Sequence, residues 1–175
     1  MITGTANNDA IFGTAGNDTI ESLEGDDVVL GREGDDIVHG GRGNDLIGGD
    51  GACPQVNRPF YCIQTPPGAT SDDHLFGGRG DDELDGNAGD DRIGGGRGDD
   101  AIRGGKGNDR INPGRGRDTV RAGKGDDTVL SRSDKMRDRI NCGAGFDIVF
   151  ANRRDRMSDS CERVRYPRAG VAPSS

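Results

Sequence analysis

The sequence is poor in the side chains from which most folded domains build a core. It has no tryptophan, aromatic residues make up 4% of the chain, and hydrophobic residues make up 30%, whereas soluble domains contain about 45–50% apolar residues. No apolar run reaches the roughly 18 residues of a membrane-spanning helix, so we expect no membrane span. This composition excludes a conventional apolar core, and some other source of stability is needed.

Further absences narrow the function classes. The formal net charge is −8, so we expect no general affinity for nucleic acid. The two histidines, His39 and His74, have no matching ligand or serine partners in the sequence. The glycines form no G-x-x-x-x-G-K-[ST] loop for a nucleotide. We therefore predict that the chain is not an enzyme, because nothing composes a catalytic site.

The chain does contain a repeat with a period of nine residues. Its 32 glycines and its aliphatic residues recur in register. The aliphatic column consists of Ile11, Ile20, Val29, Val38 and Ile47, followed after a gap by Leu75, Leu84, Ile93, Ile102, Ile111, Val120 and Val129. An aspartate precedes each of them by two residues. The unit is G-G-x-G-[ND]-D-x-[IVL]-x, whose positions we number 1 to 9.

A period of nine fits neither an α-helix nor a long alternating strand. It predicts a strand of about three residues, x-[IVL]-x, followed by a six-residue turn, with one inward side chain per unit. Two units then form a coil of 18 residues, which places alternate strands in two parallel sheets on either side of the aliphatic column. The fold class is all-β, a parallel β-solenoid.

One aliphatic residue in nine is too small a core to offset the conformational entropy of so many glycines. Stacked turns also bring carboxylates of successive coils to about 5 Å, the spacing of neighbouring strands, where they repel. The sequence therefore requires cations to fold. The donors are aspartates and turn carbonyls, and hard oxygens in flexible turns favour Ca²⁺ over Mg²⁺.

The unit resembles the glycine-rich nonapeptide of RTX (repeats-in-toxin) calcium-binding proteins, over about residues 4–149. The resemblance implies a right-handed parallel β-roll with roughly ten Ca²⁺ ions, each held between turns two units apart by position-6 aspartates and carbonyls. By position, the ligands would be Asp9, Asp18, Asp27, Asp36, Asp45, Asp73, Asp82, Asp91, Asp100, Asp109, Asp118 and Asp127, with Asp138 and Asp147 in degenerate units.

Three departures from the repeat predict weaker sites. The first three units, GTANND, GTAGND and SLEGDD, lose the glycines at their starts. Arg117 stands beside Asp118, where other units carry Asn or Asp. The unit between Val129 and Ile140 has eleven residues and no glycine, so we expect the calcium ladder to weaken there.

The repeat is interrupted by a 19-residue insertion at residues 52–70, ACPQVNRPFYCIQTPPGAT, which leaves the register on both sides intact. We predict a Cys53–Cys62 disulfide that staples this loop. The loop carries Phe60 and Tyr61 and either displays them to an extracellular protein or surface ligand or is a neutral insertion. The β-roll segments would be 1–51 and 71–130, continuous with each other.

The C-terminal part begins as one more repeat and then loses the period. We predict a degenerate repeat and cap at residues 131–165, tied by a Cys142–Cys161 disulfide, and a flexible tail at 166–175. The N-terminus shows no signal peptide, so either the protein is not exported by that route or the sequence begins after a removed signal.

The four cysteines fit an oxidising compartment, and the C-terminus resembles that of secreted actinobacterial calcium-binding repeat proteins. We therefore expect a monomeric, extracellular calcium-binding module that folds when it binds calcium. The alternative is a calcium-dependent adhesin or ligand-binding solenoid that uses the 52–70 loop.

Overall fold

The structure is a computed structural model, and it describes residues 1–50, 70–131 and 135–166. These residues form a parallel β-solenoid of about eight coils, each of about 18 residues, which confirms the predicted fold class. Within these ranges there is no helix of the length and apolar character needed to cross a membrane.

Within the described residues, seventeen strands build the solenoid. They are β1 (Ile2–Thr3), β2 (Ala10–Phe12), β3 (Thr19–Glu21), β4 (Val28–Leu30), β5 (Ile37–Arg42), β6 (Leu46–Gly48), β7 (His74–Arg79), β8 (Glu83–Ala88), β9 (Arg92–Arg97), β10 (Ala101–Lys106), β11 (Arg110–Arg115), β12 (Thr119–Lys124), β13 (Thr128–Ser131), β14 (Arg139–Ala144), β15 (Ile148–Ala151), β16 (Arg156–Met157) and β17 (Arg163–Arg165). The odd-numbered strands form a nine-stranded sheet and the even-numbered strands an eight-stranded sheet.

The register follows the repeat. In each sheet a residue pairs in parallel with the residue eighteen positions later, as Ile102 does with Val120. Across the insertion Val38 pairs with Leu75, so the sheet continues from one side of the insertion to the other. Beyond the eleven-residue unit Val129 pairs with Val149. Two interruptions of different length therefore leave both sheets intact.

The aliphatic column lies between the sheets as predicted. Every one of its members, from Ile11 to Val129, is at most 7% exposed, and Ile140 and Val149 extend the column at the C-terminal end. These side chains stack as a single row along the solenoid axis. Each unit thus adds one large aliphatic side chain to the core, which leaves the turns as the other place where stability must arise.

The expected strand length of three residues was wrong for the regular units. Strands β5, β7 to β12 and β14 have six residues, because pairing continues through repeat positions 1 to 3. A second inward-facing position follows, at repeat position 1, where Ala122 and Cys142 are fully buried. The expectation of one inward residue per unit was therefore also wrong.

The glycine at position 4 is required by the close stacking of coils. At Gly98 the backbone has φ +132°, and a Cβ there would collide with the carbonyl of Gly80 in the preceding coil. A side chain at this position is excluded both by the left-handed backbone and by the neighbouring chain.

The C-terminal coils close the solenoid. Strands β16 and β17 add the last strands to the two sheets, and the pairs Ile140–Met157 and Val149–Val164 are closer in sequence than the 18 residues of the regular coils. Cys142 on β14 forms a disulfide with Cys161, which confirms this predicted pairing and ties the last regular coil to the terminal one. The predicted loop at 52–70 with its Cys53–Cys62 disulfide and most of the 166–175 tail lie outside the described residues.

Candidate metal-binding turns

The position-6 aspartates form two ladders, one along each edge of the solenoid. In each ladder the Oδ1 atom accepts a hydrogen bond from the backbone N–H of the aspartate one coil earlier. Asp45 donates to Asp82 at 2.8 Å and Asp82 donates to Asp100 at 2.9 Å. The parallel sheets place successive turns in register, so the carboxylates are stacked by the backbone itself.

The same bond recurs along both edges. One ladder contains Asp9, Asp27, Asp45, Asp82, Asp100, Asp118 and Asp138. The other contains Asp18, Asp36, Asp73, Asp91, Asp109, Asp127 and Asp147. All fourteen predicted aspartates therefore lie in these two ladders.

The second carboxylate oxygen, Oδ2, lacks a hydrogen-bond donor in most of these aspartates among the described residues. In ten of these aspartates the Oδ2 atom is buried and has no hydrogen-bond partner among the described residues. They are Asp27, Asp36, Asp45, Asp73, Asp82, Asp91, Asp100, Asp109, Asp127 and Asp147. A buried, unpartnered polar oxygen costs about 1–3 kcal/mol, and more if it is charged. Such a regular set of unpartnered carboxylate oxygens has the chemistry of cation ligands.

Where repeat position 1 is a glycine, the unpartnered oxygen lies directly beside it. A Cβ built on Gly77 would collide with Oδ2 of Asp82 and would lie 2.7 Å from the carbonyl oxygen of Gly95. The space beside Gly77 therefore holds a carboxylate oxygen and a carbonyl oxygen from two successive coils. The same arrangement recurs at Gly40, Gly86, Gly95 and Gly104.

Burial raises the pKa values of these carboxyl groups far above the usual value, and neighbouring aspartates raise them further. The pKa reaches about 8 for Asp73, Asp100 and Asp109, about 7 for Asp82 and Asp91, and about 6 for Asp36, Asp45 and Asp127. The backbone N–H donors oppose this shift without cancelling it. The turns are thus unfavourable for negative charge unless a cation is present.

The donor set fits calcium. It consists of carboxylate and carbonyl oxygens held in turns, the hard ligands that Ca²⁺ prefers. No group of three or more His, Cys, Asp or Glu side chains converges in the parts of the chain that the structure describes. Each site would therefore take most of its ligands from backbone carbonyls, and a site for a soft metal has no donors here.

Three of the predicted aspartates have a different environment. The Oδ2 atoms of Asp9 and Asp18 accept hydrogen bonds from the backbone N–H and the hydroxyl of Thr5 and Thr14. The Oδ2 atom of Asp138 accepts one from the Ser131 hydroxyl. Because these Oδ2 atoms already have hydrogen-bond donors, the fit to calcium is weakest at both ends of the ladders.

The sequence interpretation missed Asp50, at repeat position 2 just before the insertion. Asp50 is 3% exposed, its Oδ1 atom accepts a hydrogen bond from the Ser71 hydroxyl at 2.8 Å, and its buried Oδ2 atom has no hydrogen-bond partner in the part of the chain that the structure describes. Its charge helps to raise the pKa of Asp73. The sequence signal is an acidic residue at position 2, where the consensus unit has glycine. It is hard to recognise because the repeat is interrupted by the insertion directly after it.

The sequence interpretation also missed where the ladders end. Asp155 accepts the backbone N–H of Asp138 at 3.2 Å, and Glu162 accepts that of Asp147 at 2.9 Å. Neither residue lies in a recognisable repeat unit, so spacing alone could not have found them. They complete the two carboxylate columns inside the terminal coils.

Comparison with known proteins gives the same assignment. The profile of the RTX calcium-binding nonapeptide repeat matches four overlapping stretches, residues 3–38, 12–47, 67–102 and 94–129, which together cover more than half of the chain. No curated protein matches it. With its nonapeptide period, its two parallel sheets and its ladders of turn aspartates, the chain belongs to the family of RTX calcium-binding nonapeptide repeat proteins.

Proposed function

We propose that this protein is a secreted calcium-binding module whose β-roll folds when Ca²⁺ fills the turns. The observation that carries this proposal is the column of buried Oδ2 atoms that have no hydrogen-bond partner within residues 1–50, 70–131 and 135–166. Each is an electrostatic cost in the calcium-free fold and a ligand in the calcium-bound one. The number of ions, roughly ten, follows from the number of such aspartates.

Calcium binding would then supply folding free energy. The ligand cradles join two successive coils, such as those of Gly77 and Gly95, so an unfolded chain cannot present them. A ligand that binds only the folded chain stabilises it in proportion to the logarithm of its concentration. Because each unit adds only one large aliphatic side chain to the core, this contribution decides whether the chain folds.

The dependence of folding on calcium also favours an extracellular location. Cytosolic calcium is kept low, so the chain would remain unfolded before export and fold outside, where calcium is abundant. The Cys142–Cys161 disulfide supports an extracellular location, since such bonds persist in oxidising compartments. The disulfide would lock the terminal coil after calcium has organised the preceding turns.

A calcium titration of protein stripped with EDTA tests the proposal. Far-UV circular dichroism should show a cooperative gain of β structure with calcium and not with magnesium. Asp82→Asn, which neutralises a ladder carboxylate that is 2% exposed, should raise the calcium midpoint several-fold. Asp81→Asn is the matched control, because it removes the same charge from the adjacent exposed residue. Full β structure in EDTA at neutral pH, or equal shifts in both variants, would contradict the proposal.

A further inference from the structure

The turns before β12 and β14 line a cavity in which basic side chains predominate. The cavity has a volume of about 640 Å³ and lies at the eleven-residue unit that replaces a regular repeat. Among the described residues that line it, one is acidic, the buried Asp118. Five are basic, namely Arg117, Lys135, Arg137, Arg139 and Arg154. We call this the basic cavity.

Two of these arginines stand where the preceding coils of the same edge carry Asp or Asn. At repeat position 5, a side-chain oxygen accepts the backbone N–H of the next coil. Asp81 accepts that of Asp99 at 2.7 Å, and Asp99 accepts that of Arg117 at 2.8 Å. An arginine side chain has no acceptor, so hydrogen bonding between the turns does not require arginine at 117 or 137. Their positive charge needs another explanation.

The opposite edge of the solenoid shows that a column of position-5 acceptors can end without basic residues. There Asp126 accepts the backbone N–H of Phe146 at 2.8 Å, so the side chain at the end of this column is apolar. The arginines at position 5 are therefore a feature of one edge, and stacking of the last coils does not call for them.

Hydrogen bonds from the terminal coil hold one wall of the basic cavity in place. Arg154 donates from Nη1 to the carbonyl oxygen of Lys135 at 3.1 Å, and Asn152 donates from Nδ2 to the carbonyl oxygen of Met136 at 2.9 Å. The Arg154 guanidinium keeps further N–H donors for a ligand. Arg139 is the first residue of β14, whose backbone is fixed by pairing with β12. The cavity is therefore organised before any ligand binds.

The basic side chains lack acidic partners. In the described part of the chain, none of the five forms an ion pair. On the outer face of the same sheet, by contrast, Arg103 forms ion pairs with Glu83 at 2.9 Å and with Asp85 at 3.7 Å. Arg117 and Arg137 lie on turns of adjacent coils, which are about 5 Å apart, so their charges repel each other. This arrangement favours an external anion.

We propose that the basic cavity binds a compact anion that carries two phosphate groups. A phosphate monoester carries about −1.5 to −2 charges near pH 7, so two such groups roughly balance five basic residues and one aspartate. Guanidinium groups bind phosphate oxygens through paired hydrogen bonds. The Thr119 hydroxyl, which also lines the cavity, offers one more donor.

The surroundings of the cavity favour a small ligand over a nucleic acid strand. Asp81 and Asp99 are exposed at position 5 of the two preceding coils of the same edge, so a long polyanion that left the cavity in that direction would be repelled. The described residues that line the cavity include no aromatic side chain, whereas single-stranded nucleic acid is bound by stacking bases on aromatic residues.

Calorimetric titration of the calcium-loaded full chain with fructose 1,6-bisphosphate tests this inference, with free calcium held equal in the cell and the syringe. Fructose 6-phosphate should bind at least about tenfold more weakly, and fructose should not bind. The double variant Arg117→Gln with Arg137→Gln should weaken bisphosphate binding by about tenfold or more, because it removes charge-assisted hydrogen bonds. Its matched control is Arg97→Gln with Arg115→Gln, which removes two exposed charges that line a different depression.

Circular dichroism and the calcium isotherm of each variant show whether the fold is retained. If the double variant does not fold, Arg139→Gln, which changes one exposed side chain at the start of β14, takes its place. Weaker bisphosphate binding in the cavity variant and not in the control supports the basic cavity. Equal weakening in both would show that binding follows net charge, and would overturn the assignment.

Two further outcomes would also overturn it. No bisphosphate binding by the unchanged protein would show that the arginines only offset the charge of the neighbouring aspartates. Tighter binding of a thymidine oligonucleotide of equal charge would show that the site is built for a phosphodiester chain. Neither outcome would affect the proposed calcium-dependent folding, which the calcium titration in the absence of phosphate tests separately.

Discussion

Removing calcium at two different pH values tests whether the buried carboxylates are what prevents the calcium-free chain from folding. The folded-state pKa values of Asp73, Asp100 and Asp109 are raised to about 8 from an ordinary value of 3.8. A group with a raised folded-state pKa binds its proton more tightly in the folded chain. Its stabilising effect is complete at low pH and is lost as the pH rises towards 8.

The size of the effect follows from those shifts. Between about pH 5 and pH 7.5, each of these three carboxyls should lower the stability of the calcium-free fold by about 3 kcal/mol. Together they amount to on the order of 10 kcal/mol, comparable with the total stability of a typical domain, about 5–15 kcal/mol. Asp82 and Asp91, with pKa values of about 7, add to the same trend.

The assay is far-UV circular dichroism in EDTA as a function of pH, with light scattering to detect aggregation. We expect β structure to be lost at neutral pH and to return on mild acidification, because protons then replace calcium in neutralising the turns. Calcium added at neutral pH should restore the same spectrum. A calcium-free β signal that is constant across this range, or one that grows as the pH rises, would refute the reasoning.

Two further predictions concern the coils and the cap. Gly98→Ala should destabilise the calcium-bound protein by at least about 3 kcal/mol. In the control variant Gly16→Ala, a Cβ meets nothing within 4 Å, so the free energy of unfolding should change by less than about 1 kcal/mol. Similar melting temperatures for the two variants would contradict the stacking argument. Reducing the Cys142–Cys161 disulfide, whose cysteines are 19 residues apart, should cost about 3 kcal/mol in chemical denaturation, and an unchanged midpoint would show that the terminal coil is held without it.

Much of the fold could be predicted because the period of nine is itself a structural constraint. A single aliphatic residue in each unit, such as Ile102, can reach the interior only if successive units stack in register. The aspartate two residues earlier must then fall in a turn, next to the aspartates of the neighbouring coils. The insertion did not disturb this prediction, since Val38 still pairs with Leu75.

Strand length could not be predicted in the same way. Glycine-rich stretches indicate turns, yet positions 1 to 3 of the regular units lie in strands, because the neighbouring coil supplies backbone partners, as Gly123 does for Gly105. That pairing arises between coils and leaves no local signal.

By itself, then, the sequence determined the solenoid, its register and the two columns of aspartates, because all three follow from one repeated spacing. The tertiary structure decided which carboxylates receive a hydroxyl donor. Thr5 and Ser131 donate to Asp9 and Asp138 through their hydroxyl groups, whereas Asp82 has no such donor among the described residues. The tertiary structure also brought Asp50 and Glu162 to the ladders. Hydrogen bonding between coils depends on which side chains the folded backbone places in contact, and no period in the sequence records it.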